Sequence, residues 1–279
     1  MIWLFVAVLA VFLGLLYGFY IFPRRAGKDQ RAPFDGLMAA HRGLYEKDQS
    51  VPENSLEAFQ RAADAGYGVE LDVQLSKDGQ VVVFHDDTVD RMTTERGRVD
   101  SFTLNELQAM PLMGTEHRIP LFTDVMAVLD GVSPTIVELK STENYPELCE
   151  KTLAILRTLS GPYCVESFDP RIVRWFKKNA PDILRGQLTE SFRYWRKSGK
   201  TLWQAFLMHT LCFNFLTRPQ FIAFGRGKRP LCWFLGRAFG AMTVYWTERP
   251  DSDHAWLKKR YDCRIFEHYK PETRYKTRG

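Results

Sequence analysis

Residues 69–73, Val-Glu-Leu-Asp-Val, restrict the fold of this chain more than any other stretch. Apolar residues at 69, 71 and 73 alternate with carboxylates at 70 and 72, so in a strand the two acids share one face and the apolar side chains the other. The apolar face demands a cover of helices. The acidic face demands a cation, because neighbouring carboxylates repel unless something positive lies between them, and a hard divalent metal is the simplest such group. Two imidazoles flank the stretch: His41 ends an apolar run over residues 37–40, and His85 ends another over 81–84.

The surrounding pattern alternates strands with helices. Residues 38–41, 69–73, 81–85, 134–139, 163–168, 183–188, 220–224 and 241–246 read as eight strands. A helix start is expected after Pro52, with Asn54 as N-cap, Glu57 at the third helical position, Leu56, Phe59 and Ala63 toward the core, and Gly66 as terminator. Further helices are expected over 101–110, with Thr103 as N-cap, and over 122–129, 146–159, 170–179 and 250–260. Lys77-Asp78-Gly79 is a tight turn that leaves no room for a crossover helix, so the alternation is irregular between the second and third strands. Eight strands with helices between most of them predict an α/β fold, a (β/α)8 TIM barrel, whose working groups gather at the C-terminal strand ends. The unusual residues fall there: His41 and Arg42, Glu70 and Asp72, His85, Glu138 and Lys140 of Val-Glu-Leu-Lys, Ser167, and Trp246-Thr247. A parallel barrel strand has no free solvent face, which favours a metal between Glu70 and Asp72 over a merely solvated acidic face.

Ahead of the barrel, residues 2–22 carry no charge and as a helix would span roughly 30 Å, about one hydrocarbon core. This is a transmembrane candidate, and it lacks the basic start and small-residue cleavage site of a signal peptide. Arg24, Arg25, Lys28 and Arg31 follow it and nothing basic precedes it, so the positive-inside rule places the rest of the chain in the cytoplasm, with an export signal as the other reading. The expected organisation is an anchor over 1–25, a linker over 26–36, the barrel over 37–268 and a basic tail over 269–279. Five scattered cysteines without a CxxC pair suggest free thiols in a reducing compartment and speak against zinc. A net charge of +5 favours anionic partners, and with no nucleic-acid-binding motif present the membrane is the better candidate.

In order, His-Arg-Gly at 41–43, Pro-Glu-Asn-Ser at 52–55, Glu-Leu-Asp-Val at 70–73, Ser-Lys-Asp-Gly at 76–79, Val-Val-Phe-His-Asp at 82–86 and Val-Glu-Leu-Lys at 137–140 resemble the glycerophosphodiester phosphodiesterase family of TIM-barrel enzymes, over residues 37–267. The resemblance implies hydrolysis of a diester between glycerol 3-phosphate and an alcohol, helped by Mg²⁺ or Ca²⁺. It implies Glu70, Asp72 and Glu138 as metal ligands, His41 and His85 as the acid–base pair, and Arg42 and Lys140 on the phosphoryl oxygens. It also implies attack by the neighbouring glycerol hydroxyl, giving a cyclic phosphate that water opens. Glu53 and Trp246 are further candidates for substrate contacts, although Glu53 and Asn54 can equally serve the helix cap. Two departures stand out: Ser55 where the family more often has Thr, and Glu248-Arg249 after Trp246-Thr247 where an asparagine is typical.

One stretch fits no barrel element. Residues 201–217 carry no acidic or fully basic side chain, follow the basic aromatic run 193–197, and are just short for a span. They read either as buried helices over strands six and seven or, with residues 231–239, as an interfacial element. A lysophospholipase D using the same site is therefore the alternative activity. A catalytically inactive binding barrel, and turnover of glycerol-phosphate polymers outside the cell, are weaker ones.

Overall fold

Each parallel strand must bury both faces, and the apolar runs satisfy this by closing on themselves under a jacket of helices. The computed structural model describes residues 1–225, 227 and 229–272; of the expected basic tail, residues 273–279 lie outside the described residues. Helices α1 (Ile2–Ile21) and α2 (Lys28–Arg31) lead to β1 (Met38–His41), α3 (Leu56–Asp64), β2 (Gly68–Leu75) and β3 (Val81–Val83). Next come α4 (Leu104–Ala109), α5 (Phe122–Leu129), β4 (Thr135–Leu139), α6 (Tyr145–Leu156), β5 (Tyr163–Ser167), α7 (Pro170–Asn179) and β6 (Arg185–Thr189). Three short helices, α8 (Phe192–Lys197), α9 (Leu202–His209) and α10 (Asn214–Thr217), precede β7 (Phe221–Phe224). The described chain ends with α11 (Leu231–Ala238), β8 (Met242–Glu248), α12 (His254–Arg260) and β9 (Cys263–Phe266).

Eight of these strands form a closed parallel barrel in the order β1-β9-β8-β7-β6-β5-β4-β2, with β1 pairing back onto β2. The (β/α)8 expectation holds, with one of the eight staves differing from the expected one. The run at 81–85 is not a barrel stave: β3 pairs antiparallel with the outer half of β2, Val83 opposite Val73 and Val81 opposite Leu75. A tight turn at Gly79, where φ is +73°, can only return the chain antiparallel, whereas a parallel neighbour needs a crossover. The missing stave is β9, which slots between β8 and β1.

The start of α3 also differs. Ser55, not Asn54, is the N-cap, accepting from the Ala58 amide at 3.2 Å, so Glu57 falls at the second helical position. The buried stripe runs through Ala58, Phe59, Ala62 and Ala63, and Leu56 in the first turn stays exposed. In α4, Thr103 caps as expected, in a box with Glu106.

Period two organises the barrel interior into layers. Val69, Leu71 and Val73 pack outward against Phe59 and Phe122, which turns Glu70 and Asp72 inward. Ile136, Cys164, Phe221, Met242 and Cys263 fill an apolar floor. Two residues further along β4 and β5, the same alternation turns Glu138 and Glu166 inward, above that floor. Gly186 makes the floor possible, because a Cβ there would lie 1.9 Å from the Phe221 ring on the adjacent strand. Gly186→Ala should therefore cost about 1–3 kcal/mol by overpacking. Adding Phe221→Leu should recover part of that loss, as measured by thermal unfolding of both single variants and the double variant.

Candidate active site

At the C-terminal ends of the staves, backbone conformation and charge place one polar cluster. β1 delivers His41, and the chain then turns sharply through Arg42 and Gly43, with φ of +57° and +82°. The Arg42 amide donates to the Glu70 backbone carbonyl at 2.9 Å and to its side chain at 3.2 Å, fixing the turn against β2. Asn54 also sits at positive φ, +55°, and its Nδ2 donates to Asp72 Oδ2 at 2.9 Å. A left-handed conformation at Arg42 and at Asn54 costs each about 1 kcal/mol or more, and it is used to aim the loop at the acids.

Glu70, Asp72 and Glu138 are all buried, and one oxygen from each lies within 4.8 Å of the others. Lys140 Nζ donates to Glu138 Oε1 at 2.8 Å and to Asp72 Oδ1 at 3.3 Å, while Arg42 Nε lies 3.6 Å from Asp72 Oδ2. Burial alone would raise the Asp72 carboxyl, yet Lys140, His85 and Arg42 hold it well below the carboxylate range. Glu70 goes the other way, pushed up by burial and then by the charges of Asp72 and Glu138. Glu166 is likewise pushed up by burial and by Glu138, and its Oε2 has no partner. Among the described residues, fixed cations are thus too few for the carboxylates that converge here. The Asn54 Oδ1 is a further buried oxygen with no hydrogen-bond partner among the described residues. An all-oxygen donor set of this kind fits a hard divalent cation held by Glu70, Asp72 and Glu138.

Both imidazoles are backed by carboxylates. His41 Nδ1 pairs with Glu267 Oε2 at 2.7 Å and His85 Nδ1 with Asp86 Oδ1 at 2.6 Å. Such a contact orients the ring and leaves Nε2 for other work; His41 Nε2 lies 3.9 Å from Glu70 Oε2. Burial, then Arg42, lowers the His41 pKa. Arg91 ties the two sides together, bonding Asp86 at 2.6 Å and Glu53 at 2.7 Å, and Glu53 in turn accepts from Arg42 at 2.7 Å. Glu53 is thus engaged by two guanidiniums behind the cluster. Trp246 packs edge-on to Phe168, with ring centroids 5.7 Å apart, on the opposite wall. Ser167 closes β5 by donating to the Leu139 carbonyl. A cavity of about 430 Å³ opens beside Lys140, lined also by Ser76, Lys77, Asp78, Ser141 and Thr142.

The model of the glycerophosphoryl diester phosphodiesterase family matches residues 41–262. The chain belongs to this family. A glycerophosphodiester phosphodiesterase from Caldanaerobacter subterraneus subsp. tengcongensis is 34% identical over 193 residues, covering 64% of this chain and 77% of the relative. Glycerophosphodiester phosphodiesterase 1 of Rattus norvegicus is 39% identical over a shorter stretch, 37% of this chain and 32% of the relative. Among solved structures, an Oleispira antarctica phosphodiesterase in complex with its product sn-glycerol-3-phosphate superposes with a TM-score of 0.67 at 23% identity, over 82% of this chain and 92% of that one. The glycerophosphodiester phosphodiesterase from Thermotoga maritima gives 0.63 at 24%, over 82% and 93%. At such identities the structures establish the shared barrel, and family membership makes the chain a phosphoric diester hydrolase.

Within this glycerophosphoryl diester phosphodiesterase barrel, every residue singled out from the sequence lies at the mouth or directly behind it. Several others went unrecognised. Glu267 lies just past β9, a strand that the sequence pattern does not reveal, whereas Asn54, open from the sequence to either a cap or a site role, takes the site role. Asp86 and Arg91 follow His85 closely in sequence, and Asp86 is the last residue of the Val-Val-Phe-His-Asp motif. The Glu248-Arg249 departure resolves into ion pairs: Glu248 with Arg264 at 3.0 Å and Arg249 with Glu267.

Glu267→Gln should lower kcat by about 10- to 100-fold with little change in KM, since it removes the orienting charge behind His41 rather than a substrate contact. Burial would raise the Glu267 carboxyl, but His41 and Arg249 hold it down at about 2. Its contribution to stability is therefore present above an ordinary glutamate pKa of about 4.3 and lost as the pH falls toward 2. The stability gap between the wild-type chain and Glu267→Gln should narrow over that window in denaturant titrations.

Proposed function

We propose that the chain is a membrane-anchored, metal-dependent glycerophosphodiester phosphodiesterase of lipid metabolism, which splits glycerophosphodiesters into glycerol 3-phosphate and an alcohol. The observation that carries this reading is the convergence of an acidic triad, two basic side chains and two carboxylate-backed imidazoles in one barrel mouth. The name of the Caldanaerobacter relative, at 34% identity, supports the substrate class.

A phosphodiester resists attack because its anionic oxygens repel nucleophiles, so charge must be neutralised first. A Mg²⁺ or Ca²⁺ ion held by Glu70, Asp72 and Glu138 would supply Lewis-acid stabilisation of the phosphoryl oxygens. Arg42 and Lys140, both held charged by the surrounding carboxylates, extend that neutralisation toward the substrate. Of His41 and His85, one accepts the proton of the attacking glycerol hydroxyl and the other gives a proton to the departing alkoxide. Phosphorus exchanges one P–O bond for another, and water then opens the cyclic phosphate. Glu267 and Asp86 hold the two rings in register for these transfers.

The anchor is supported by α1, twenty residues of mean hydropathy 2.5 exposed along nearly its whole length. Arg24, Arg25, Lys28 and Arg31 just after it favour a single-pass topology in the cell membrane with the barrel in the cytoplasm. A lysophospholipid, the same diester carrying one acyl chain, is the second substrate reading, favoured by exposed aromatic side chains beside the mouth.

The full chain in detergent micelles, given a panel of glycerophosphodiesters and lysophospholipids, should release glycerol 3-phosphate or its acylated form, detected by mass. Chelator should abolish turnover and Mg²⁺ or Ca²⁺ restore it. His41→Ala and His85→Ala should each lower kcat by about 10²- to 10⁴-fold. Chelator-resistant hydrolysis, or full activity in Glu70→Ala, contradicts the metal assignment.

A further inference from the structure

α9 and α11 carry side chains that neither the barrel core nor the acidic cluster accounts for. Leu202, Trp203 and Phe206 on α9 and Leu231 and Phe234 on α11 are 45–67% exposed, and the Trp203 and Phe206 rings stack at 5.7 Å. Single exposed apolar residues are ordinary, but five on neighbouring helices make a patch. The two helices meet where Cys232 donates to the His209 carbonyl at 3.3 Å.

The patch lies at the catalytic rim. α9 packs over the end of β6, where Thr189 donates to the Met208 carbonyl at 2.7 Å, and α11 starts just beyond the end of β7. The wall is continuous with the site, since Trp195 of α8 packs on Phe168, which packs on Trp246.

α1 points the same way. Its end lies beside the foot of α11, with Phe22 and Phe239 ring centroids 5.2 Å apart, and one turn higher Tyr17 donates to the Thr210 carbonyl at 3.2 Å. Traced back from its end, α1 therefore climbs alongside α11 and parallel to it, from the barrel floor toward the catalytic rim. Residues 1–16 continue past that level, exposed at every position. Sixteen residues rise about 24 Å, one helical turn short of a hydrocarbon core of about 30 Å. A bilayer that takes in the whole apolar helix must also reach the turn packed against α10 and α11, and so the rim beside it. Arg193, Arg196, Lys197 and Lys200, all exposed around α8, supply positive charge for anionic headgroups.

We propose that α9 and the first turn of α11 seat the catalytic rim in the interfacial zone of the bilayer that α1 enters, so that the enzyme draws acyl-bearing glycerophosphodiesters from the membrane surface. The substrate half of this proposal rests on the phosphodiesterase reading; the placement of the rim does not.

The test uses the full chain in nanodiscs of phosphatidylcholine and phosphatidylglycerol, with nitroxide labels at Trp203→Cys, at Phe234→Cys and, as a control on the barrel flank, at Glu150→Cys. Power saturation should find the labels at 203 and 234 about tenfold more accessible to oxygen, relative to a water-soluble nickel chelate, than the label at 150. Equal accessibility at all three positions, or spin–spin broadening between chains that marks a second copy on the patch, overturns the placement. A variant with serine at 202, 203, 206, 231 and 234 should keep its rate on water-soluble glycerophosphocholine and lose about tenfold on lysophosphatidylcholine embedded in the nanodisc. Equal rates on the embedded substrate overturn the substrate half. If the wild-type chain cleaves neither compound, the phosphodiesterase reading fails while the label depths still decide where the rim lies.

Discussion

Four carboxylates, Glu70, Asp72, Glu138 and Glu166, project from three adjacent strands into one buried barrel mouth, and their mutual repulsion governs how the mouth is built. Removing one such charge from water costs several kcal/mol unless it is paired, and the described residues do not pair all four. Lys140 and Arg42 are spent on Asp72 and Glu138, and Glu70 and Glu166 are left pushed toward their neutral forms. A divalent cation would complete the arrangement, and the acidic triad offers it a place. The strained turn at Arg42, the strained Asn54 and the guanidinium pair on Glu53 all aim groups at that point or hold those that do.

Closure of the sheet makes the constraint inescapable. On an open antiparallel sheet Glu70 and Asp72 could face water; here β2 lies between β1 and β4, and its inner face has only the barrel interior. The same closure brings Glu267 to His41, across 226 positions of sequence. The apolar floor of Ile136, Phe221 and Met242 confines the charged groups to the upper layer, where the substrate can enter.

Much of this was legible locally. The alternation at 69–73 and 137–140 identifies which acids share a face, and the motifs between His41 and Lys140 order them along a barrel rim. What escaped was non-local. Val81–Val83 and Cys263–Phe266 are both short apolar runs, and nothing in either says which pairs antiparallel with β2 and which closes the ring, because that is decided by the length of the connection. Asn54 and Ser55 are both good capping residues, and only the backbone, left-handed at Asn54, separates the cap from the side chain that reaches Asp72. Residues 201–217 divide between two surroundings that composition alone does not separate: Ala205, Leu211 and Thr217 face the core while Leu202, Trp203 and Phe206 are exposed.

Calorimetric titration of the chelator-treated chain with Mg²⁺ or Ca²⁺ asks whether one divalent cation belongs among Glu70, Asp72 and Glu138. One ion should bind per chain, with the binding heat lost in Asp72→Asn. Absence of binding by the wild-type chain, or undiminished binding by the variant, would contradict it.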